Sequence, residues 1–145
     1  MSSPTTSTSS KPTVVIALGA NLGDRRVSLR RAVTALRDVM DVVRVSSMIE
    51  TEPVDAPPNS PRFLNMVVAG TTSLAPLTLM SALLAIEARL GRVRRERNGP
   101  RVIDLDLILY SALRMRTREL TLPHPRYRER EFVLGPMREI GLDVR

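Results

Sequence analysis

Residues 97–110 read RNGPRVIDLDLILY and place two carboxylates, Asp104 and Asp106, at the start of an apolar run. The run has the length of a buried or half-buried strand, in which residues i and i+2 point to the same side. We therefore expect both acids to face one way, roughly 7 Å apart at their Cα atoms. Like charges held this close repel each other, and Mg²⁺ takes one or two carboxylates together with phosphate oxygens. The pair is a candidate metal site.

An isolated Asp-x-Asp is more often the solvent-facing side of an edge strand, and the residues before this strand weaken that interpretation. Five arginines lie there: Arg92, Arg94, Arg95, Arg97 and Arg101. Guanidinium forks beside metal ligands are suited to holding a polyphosphate. The segment therefore favours a site for a phosphorylated ligand.

Composition limits the classes of protein that remain. The chain has 145 residues, a formal charge of +7, no cysteine and a single lysine, Lys11. We expect a Ser/Thr-rich disordered tail at 1–12 and one domain at 13–145. No apolar run is long enough to span a membrane, and the tail lacks the apolar stretch of a secretory signal. The absence of cysteine fits a cytoplasmic location.

The order of apolar patterns predicts the fold. Strands are expected at 14–18, 42–49, 63–72 and in the Asp-x-Asp run, with helices at 29–40 and 76–90 and a final helix at 132–140 broken near Pro136. Asp24 can cap the first helix, Pro76 suits the start of the second, and Gly91 suits its end. The order β-α-β-β-α-β predicts a ferredoxin-like α+β fold, with an antiparallel sheet, two helices on one face and long site-forming loops on the other.

Four further residues are candidates for binding a ligand. Asn65 stands in an apolar strand, where its amide either bonds a neighbouring loop or recognises the edge of a heterocycle. Phe63 shares its strand face and either packs in the core or stacks on a flat ligand. Glu87 is expected to pair with a nearby arginine rather than contact a ligand. His124 lies between two prolines and is either a turn residue or a phosphate or ribose contact.

The sequence resembles a known family, the 6-hydroxymethyl-7,8-dihydropterin pyrophosphokinases (HPPK) of folate biosynthesis. The resemblance runs from about residue 14 to 140 and is carried by ALGANLGD, SSMIETEPV, FLNMVVAGTTSLAP, IEARLGRVR, RNGPRVIDLDLILY and LTLPHPRYREREFVLGPM. It implies a transferase that moves the terminal pyrophosphoryl group of ATP onto the hydroxymethyl oxygen of the pterin and releases AMP. It also implies a ferredoxin-like fold.

The resemblance further implies residue roles. Asp104 and Asp106 would bind two Mg²⁺ ions and, with Arg92 and Arg101, would form the catalytic set. The residues implied around the pterin are Thr51, Val54, Phe63, Asn65 and Phe132. The residues implied around ATP, the co-substrate, are Glu87, Arg92, Arg94, Arg101, Leu107, Thr121, His124 and Arg130.

Two other functions fit parts of the sequence. A basic ferredoxin-like module could bind RNA, although such readers stack bases on aromatics of the central strands, and the chain has only two Phe and two Tyr. A small-molecule regulatory domain would leave the two acids unexplained. We expect a cytoplasmic monomer with small-molecule substrates and with no nucleic-acid or membrane partner.

Overall fold

Five strands pair into one antiparallel sheet in the computed structural model, which describes residues 11–53, 58–92 and 101–143. The elements are β1 (Thr13–Ala20), α1 (Arg25–Leu36), β2 (Asp41–Val45), β3 (Ile49–Thr51), β4 (Phe63–Thr71), α2 (Pro76–Arg89), β5 (Asp104–Tyr110), β6 (Met115–Arg116), β7 (Thr121–Leu122), a 3₁₀ turn (Tyr127–Glu129) and α3 (Glu131–Glu139). The sheet order is β2-β4-β1-β5, with β3 also paired to β4. The β-α-β-β-α-β plan predicted from the sequence is confirmed.

The two faces of the sheet follow from side-chain alternation along the strands. On β1, Ile16 and Leu18 point to one face and pack with Leu29 of α1 and Leu83 of α2 in the larger core. Alternate β1 positions, among them Gly19, therefore belong to the opposite face. The helices α1 and α2 cover one side of the sheet, as the sequence predicted.

The opposite face carries a helix as well as loops, which differs from the expectation. Val133 and Met137 of α3 pack with Val67 and Ile108 of the sheet in a second, smaller core. Pro136 lies inside α3, which continues past it to Glu139. The predicted break at Pro136 is wrong, because burial of this side of the helix offsets the one backbone hydrogen bond that proline cannot make.

The predicted strand at 42–49 is two shorter strands, β2 and β3. Between them the Ser46 N–H donates to Val67 O at 3.0 Å, while the Val67 N–H donates to Ser46 Oγ at 2.9 Å instead of to a backbone carbonyl. The backbone N–H of Ser47 then bonds the carboxylate of Glu139, at the end of α3, at 3.1 Å. The bend between β2 and β3 is therefore bonded both to β4 and to α3.

Local chemistry sets the helix ends as predicted. The side chain of Asp24 accepts from Val27 N at 3.2 Å, Pro76 begins α2, and Gly91 after α2 has φ +100°. Within the described ranges, no helix combines the length and the apolar character that a membrane crossing needs.

The predicted tail at 1–12 falls largely outside the described residues. Its last two residues are described, and both contact the sheet region: Pro12 O accepts from Thr72 N at 3.1 Å, and Lys11 pairs with Asp41 at 3.3 Å.

Candidate active site

Three neighbouring strands bring Asn65, Gly19 and Asp104 into one row. Gly19 of β1 is paired with Asn65 of β4 on one side and with Asp104 of β5 on the other. Since adjacent strands lie about 4.8 Å apart, Asn65 and Asp104 are about 10 Å apart across the sheet. Asp106 lies opposite Ala17, one step along the same face. The strand register thus joins a polar amide and an acid pair that are far apart in sequence.

A cavity of about 290 Å³ lies over this row. The sheet forms its floor, and residues of α3 and of the segment before it form a wall. The lining residues are Ala17, Leu18, Gly19, Thr51, Glu52, Phe63, Asn65, Met66, Arg101, Asp104, Asp106, Arg126, Arg130, Phe132 and Val133. The cavity therefore holds both acids and most of the predicted pterin residues.

Asp104 is held by two arginines. Its Oδ1 accepts from Arg92 at 2.6 Å, and its Oδ2 accepts from Arg101 at 3.2 Å. The side chain of Arg92 is 8 % exposed, and its Nε is buried with no acceptor among the described residues. Arg92 is not among the residues that line the cavity, so what the structure shows is its support of Asp104 from behind.

Glu87 supports this arrangement from α2. It is 3 % exposed, and its Oε2 accepts from Arg92 at 2.8 Å and from Leu105 N at 2.7 Å. The carboxylate thus joins α2 to the strand that carries Asp104. The structure confirms the expected pairing with an arginine, and the contact to ATP implied by resemblance stays a prediction.

The pKa of the Asp106 carboxyl group is strongly raised. Burial raises its pKa to about 7, and the neighbouring charge of Asp104 adds to the rise, while Arg130 opposes it. A nearby cation would stabilise the ionised form of this carboxyl group. Among the described residues no group of three or more acids, His or Cys could enclose a metal. Two carboxylates facing one cavity suit Mg²⁺ that completes its shell with phosphate oxygens and water.

The other end of the row suits a flat, polar ring. The amide nitrogen of Asn65 donates to the hydroxyl of Thr51 at 2.5 Å. A Cβ on Gly19 would lie 2.9 Å from Asn65 Oδ1 and 3.3 Å from Phe63 Cδ1, so the glycine leaves room for both side chains. Phe132 enters from α3, and the Arg130 guanidinium lies 5.7 Å from its ring centroid. Two phenyl groups and an amide are therefore brought together.

His124, Thr121 and Leu107 lie outside the cavity lining. Burial and the charge of Arg130 lower the pKa of His124, which favours the neutral ring. Its Nδ1 accepts from Arg126 N at 3.4 Å, which leaves Nε2 to carry the proton and to donate. Leu107 is 2 % exposed in the core beneath the helices, so any ligand contact there involves its backbone.

Two predicted residues, Val54 and Arg94, lie outside the described residues. Seven of the fifteen cavity-lining residues were missed from the sequence: Ala17, Leu18, Gly19, Glu52, Met66, Arg126 and Val133. Gly19 ends the first apolar run, and a glycine at that place indicates that other side chains pack closely against the backbone. Which side chains these are can be known only from the strand register. Arg126 lies in a basic segment with no pattern that separates it from surface arginines.

Comparison with known proteins decides the family. Residues 15–142 match the model of the family described as 7,8-dihydro-6-hydroxymethylpterin-pyrophosphokinase (HPPK). The chain belongs to the HPPK family. It is 46 % identical over 131 residues to the 2-amino-4-hydroxy-6-hydroxymethyldihydropteridine pyrophosphokinase of Bacillus subtilis, covering 89 % of this chain and 78 % of the relative. The HPPK of Pseudomonas aeruginosa is 40 % identical, over 91 % of this chain and 82 % of its own length.

Some relatives are longer than this chain. A mitochondrial folate synthesis bifunctional protein of Arabidopsis thaliana is 44 % identical over 86 % of this chain, which spans only 22 % of that protein. A solved HPPK-DHPS structure from Plasmodium falciparum with pteroate gives a TM-score of 0.69 at 12 % identity, over 90 % of this chain and 41 % of that one. This likeness shows the HPPK domain fold.

Proposed function

We propose that the cavity over Asn65, Gly19 and Asp104 is the site where this chain transfers pyrophosphate from ATP to 6-hydroxymethyl-7,8-dihydropterin. The products are AMP and the pterin diphosphate, and the reaction belongs to folate biosynthesis. The observation that carries the proposal is the row itself, with an amide and phenyl groups at one end and two acids with arginines at the other. Its length of about 10 Å suits a ring lying next to a phosphate chain.

The pterin is assigned to the Asn65 end of the cavity. An amide offers a paired donor and acceptor, which matches the alternating donors and acceptors on a pterin edge. Phe63 and Phe132 both line the cavity and are suited to hold the ring between them. Thr51 orients the Asn65 amide through its hydroxyl. Val54 is assigned to the same subsite from the resemblance alone.

The phosphates of ATP are assigned to the Asp104 end. Two Mg²⁺ ions would be held by Asp104 and Asp106, and when bound they would neutralise phosphate charge and position its oxygens. Arg92, Arg101 and Arg130 supply fixed guanidinium donors near the same place. Glu87, Leu107, Thr121, His124 and Arg94 complete the ATP assignment.

The reaction needs alignment and charge neutralisation more than covalent help. The hydroxymethyl oxygen attacks the β-phosphorus, the bond from that phosphorus to the α–β bridging oxygen breaks, and AMP leaves with the bridging oxygen. The hydroxyl proton passes to solvent or to Asp104. Arginines on both sides of the cavity face the charge that develops on the transferred group.

A coupled assay with ATP, Mg²⁺ and 6-hydroxymethyl-7,8-dihydropterin tests the function. We expect AMP and pterin diphosphate in equal amounts, and no turnover when the pterin or the metal is left out. Formation of ADP, or turnover that continues with a chelator present, would contradict the assignment.

We also propose that the chain works as a cytoplasmic monomer without a nucleic-acid partner. Tyr110 and Tyr127 are buried, and Phe63 and Phe132 line the cavity, so no described aromatic offers the open stacking surface that RNA readers use. Size-exclusion chromatography with light scattering tests the monomer. RNA binding that is tight and steeply salt-dependent would contradict the second part.

A further inference from the structure

Asn21 is a buried amide that joins two separate segments at the edge of the cavity. It follows directly after β1 and is 2 % exposed. Its Nδ2 donates to Pro61 O at 3.1 Å, and its Oδ1 accepts from Arg101 N at 2.7 Å. Its own backbone N–H donates to Arg101 O at 3.0 Å. One residue therefore fixes the backbone of Pro61 and of Arg101 at once.

The two fixed segments supply opposite ends of the site. Pro61 lies two residues before Phe63, at the phenyl end of the cavity. Arg101 sends its guanidinium to Asp104, at the acid end. Asn21 itself is attached to β1, a central strand of the sheet, and the helix cap at Asp24 fixes the chain that follows it. The amide thus connects both ends of the cavity to one rigid element.

We propose that Asn21 is a positioning residue that sets the pterin end and the phosphate end of the site at a fixed separation. The proposal rests on the function proposed above and deepens it. Asn21 does not line the cavity, so it acts through Pro61 and Arg101 rather than by touching a substrate. An amide is required, because at this side-chain length only asparagine both donates an N–H and accepts at a carbonyl oxygen.

Loss of the amide should harm the alignment of the two substrates more than the binding of either one. Each end of the cavity keeps its own contacts, Thr51 to Asn65 at one end and Glu87 to Arg92 at the other. A misplacement of about 1 Å between reacting groups costs roughly 100-fold in rate. We therefore expect kcat to fall by about that factor, with the Kd of each substrate alone changed less than about threefold.

Two variants and a matched control test this. Asn21→Ala removes both side-chain bonds, and Asn21→Asp keeps the acceptor for Arg101 N but has no N–H for Pro61 O. Thr72→Val is the control, because Thr72 is 1 % exposed and also makes two side-chain bonds to backbone, to Val39 O at 2.8 Å and from Leu74 N at 3.1 Å. Thr72 follows β4 at the end opposite Phe63, so its bonds lie far from the cavity.

The measurements are kcat at saturating substrates, calorimetric Kd for the pterin and for a non-hydrolysable ATP analogue with Mg²⁺, and amide hydrogen exchange. We expect kcat to fall about 100-fold in Asn21→Ala and at least about tenfold in Asn21→Asp, and to be unchanged in Thr72→Val. Exchange at the Arg101 and Phe63 amides should rise together in Asn21→Ala. If Asn21→Ala does not fold, the kcat of Asn21→Asp tests the proposal instead.

Three results would overturn the inference: kcat of both Asn21 variants within about threefold of the parent, an equal loss in Thr72→Val, or unchanged exchange at Arg101 and Phe63. A parent protein that makes no AMP would instead refute the proposed function. The exchange measurement needs no turnover, so the two failures are distinguishable.

Discussion

Replacing Gly19 with alanine should selectively weaken pterin binding. The added Cβ would lie 2.9 Å from Asn65 Oδ1 and 3.3 Å from Phe63 Cδ1. The first distance is too short for a stable carbon–oxygen contact, and β1 is paired on both sides, so the side chain of Asn65 must move. Its bond to Thr51 would then be strained or lost.

The magnitude follows from the amide that is displaced. A buried polar group left without its partner costs about 1–3 kcal/mol. That loss raises the pterin Kd by roughly 5- to 150-fold. Asp104 pairs with Gly19 from the opposite strand, and the three atoms nearest to the added methyl belong to Asn65 and Phe63, so the KM for ATP should change less than about threefold.

The assay is steady-state AMP formation with each substrate varied in turn, together with calorimetric titration of the pterin. Gly135→Ala is the matched control, because a Cβ there would lie 3.4 Å from Glu131 Oε2, at ordinary contact distance, and the residue is inside α3. The control should keep both KM values and gain about 0.5–1 kcal/mol of stability. Equal losses for pterin and ATP in Gly19→Ala would refute the reasoning.

Three further predictions concern the acid end of the site. Asp104→Asn should lower kcat/KM by at least roughly 100-fold and weaken activation by Mg²⁺, measured as rate against metal concentration; normal activation would contradict the metal assignment. Because the folded-state pKa of Asp106 is raised to about 7, the folded protein holds that proton more tightly than the unfolded chain. Without metal, the free energy of unfolding should therefore fall as pH rises toward and through 7, and the apparent Mg²⁺ affinity should fall as pH drops below 7. Urea unfolding and metal titration at several pH values measure the two effects. An unchanged pH profile in Asp106→Asn would count against this prediction. Glu87→Gln should cost about 1–3 kcal/mol in urea unfolding and also lower kcat, since Arg92 and Leu105 N lose a charged acceptor; a fully active and equally stable variant would show that Glu87 is dispensable.

The sequence was sufficient to predict features that depend on residues close together in the chain. The i, i+2 rule placed Asp104 and Asp106 on one face, and the cavity receives both. Helix ends were predicted because Asp24, Pro76 and Gly91 act through their own backbone neighbourhood. In each case the deciding contact spans only a few residues, so the pattern in the chain contains it.

The strand register of the site and the packing of α3 depend on contacts that cannot be read from spacing in the sequence. The row from Asn65 through Gly19 to Asp104 exists only because β1 pairs with β4 and β5 in one register, and a shift of one residue would turn these side chains to the helices. The face on which α3 packs is likewise set by tertiary contacts, through Val133 and its neighbours. The family resemblance implied ligand-binding roles for Asn65 and Asp104, and these roles stay predictions.

Acids and arginines of the cavity lie on different structural elements, and this arrangement would allow the two proposed substrates to share one cavity. The sheet contributes both acids, Asp104 and Asp106, while the segment before α3 contributes Arg126 and Arg130. Asp104 is paired with two arginines, whereas the pKa of Asp106 is raised by burial and by the charge of Asp104, and Arg130 only opposes that rise. A polyanion with bound cations would be attracted both to the arginines before α3 and to the acids of the sheet. An anion without cations would be repelled by Asp106. The uncharged pterin, which we assign to the region beyond Gly19, would be spared this conflict.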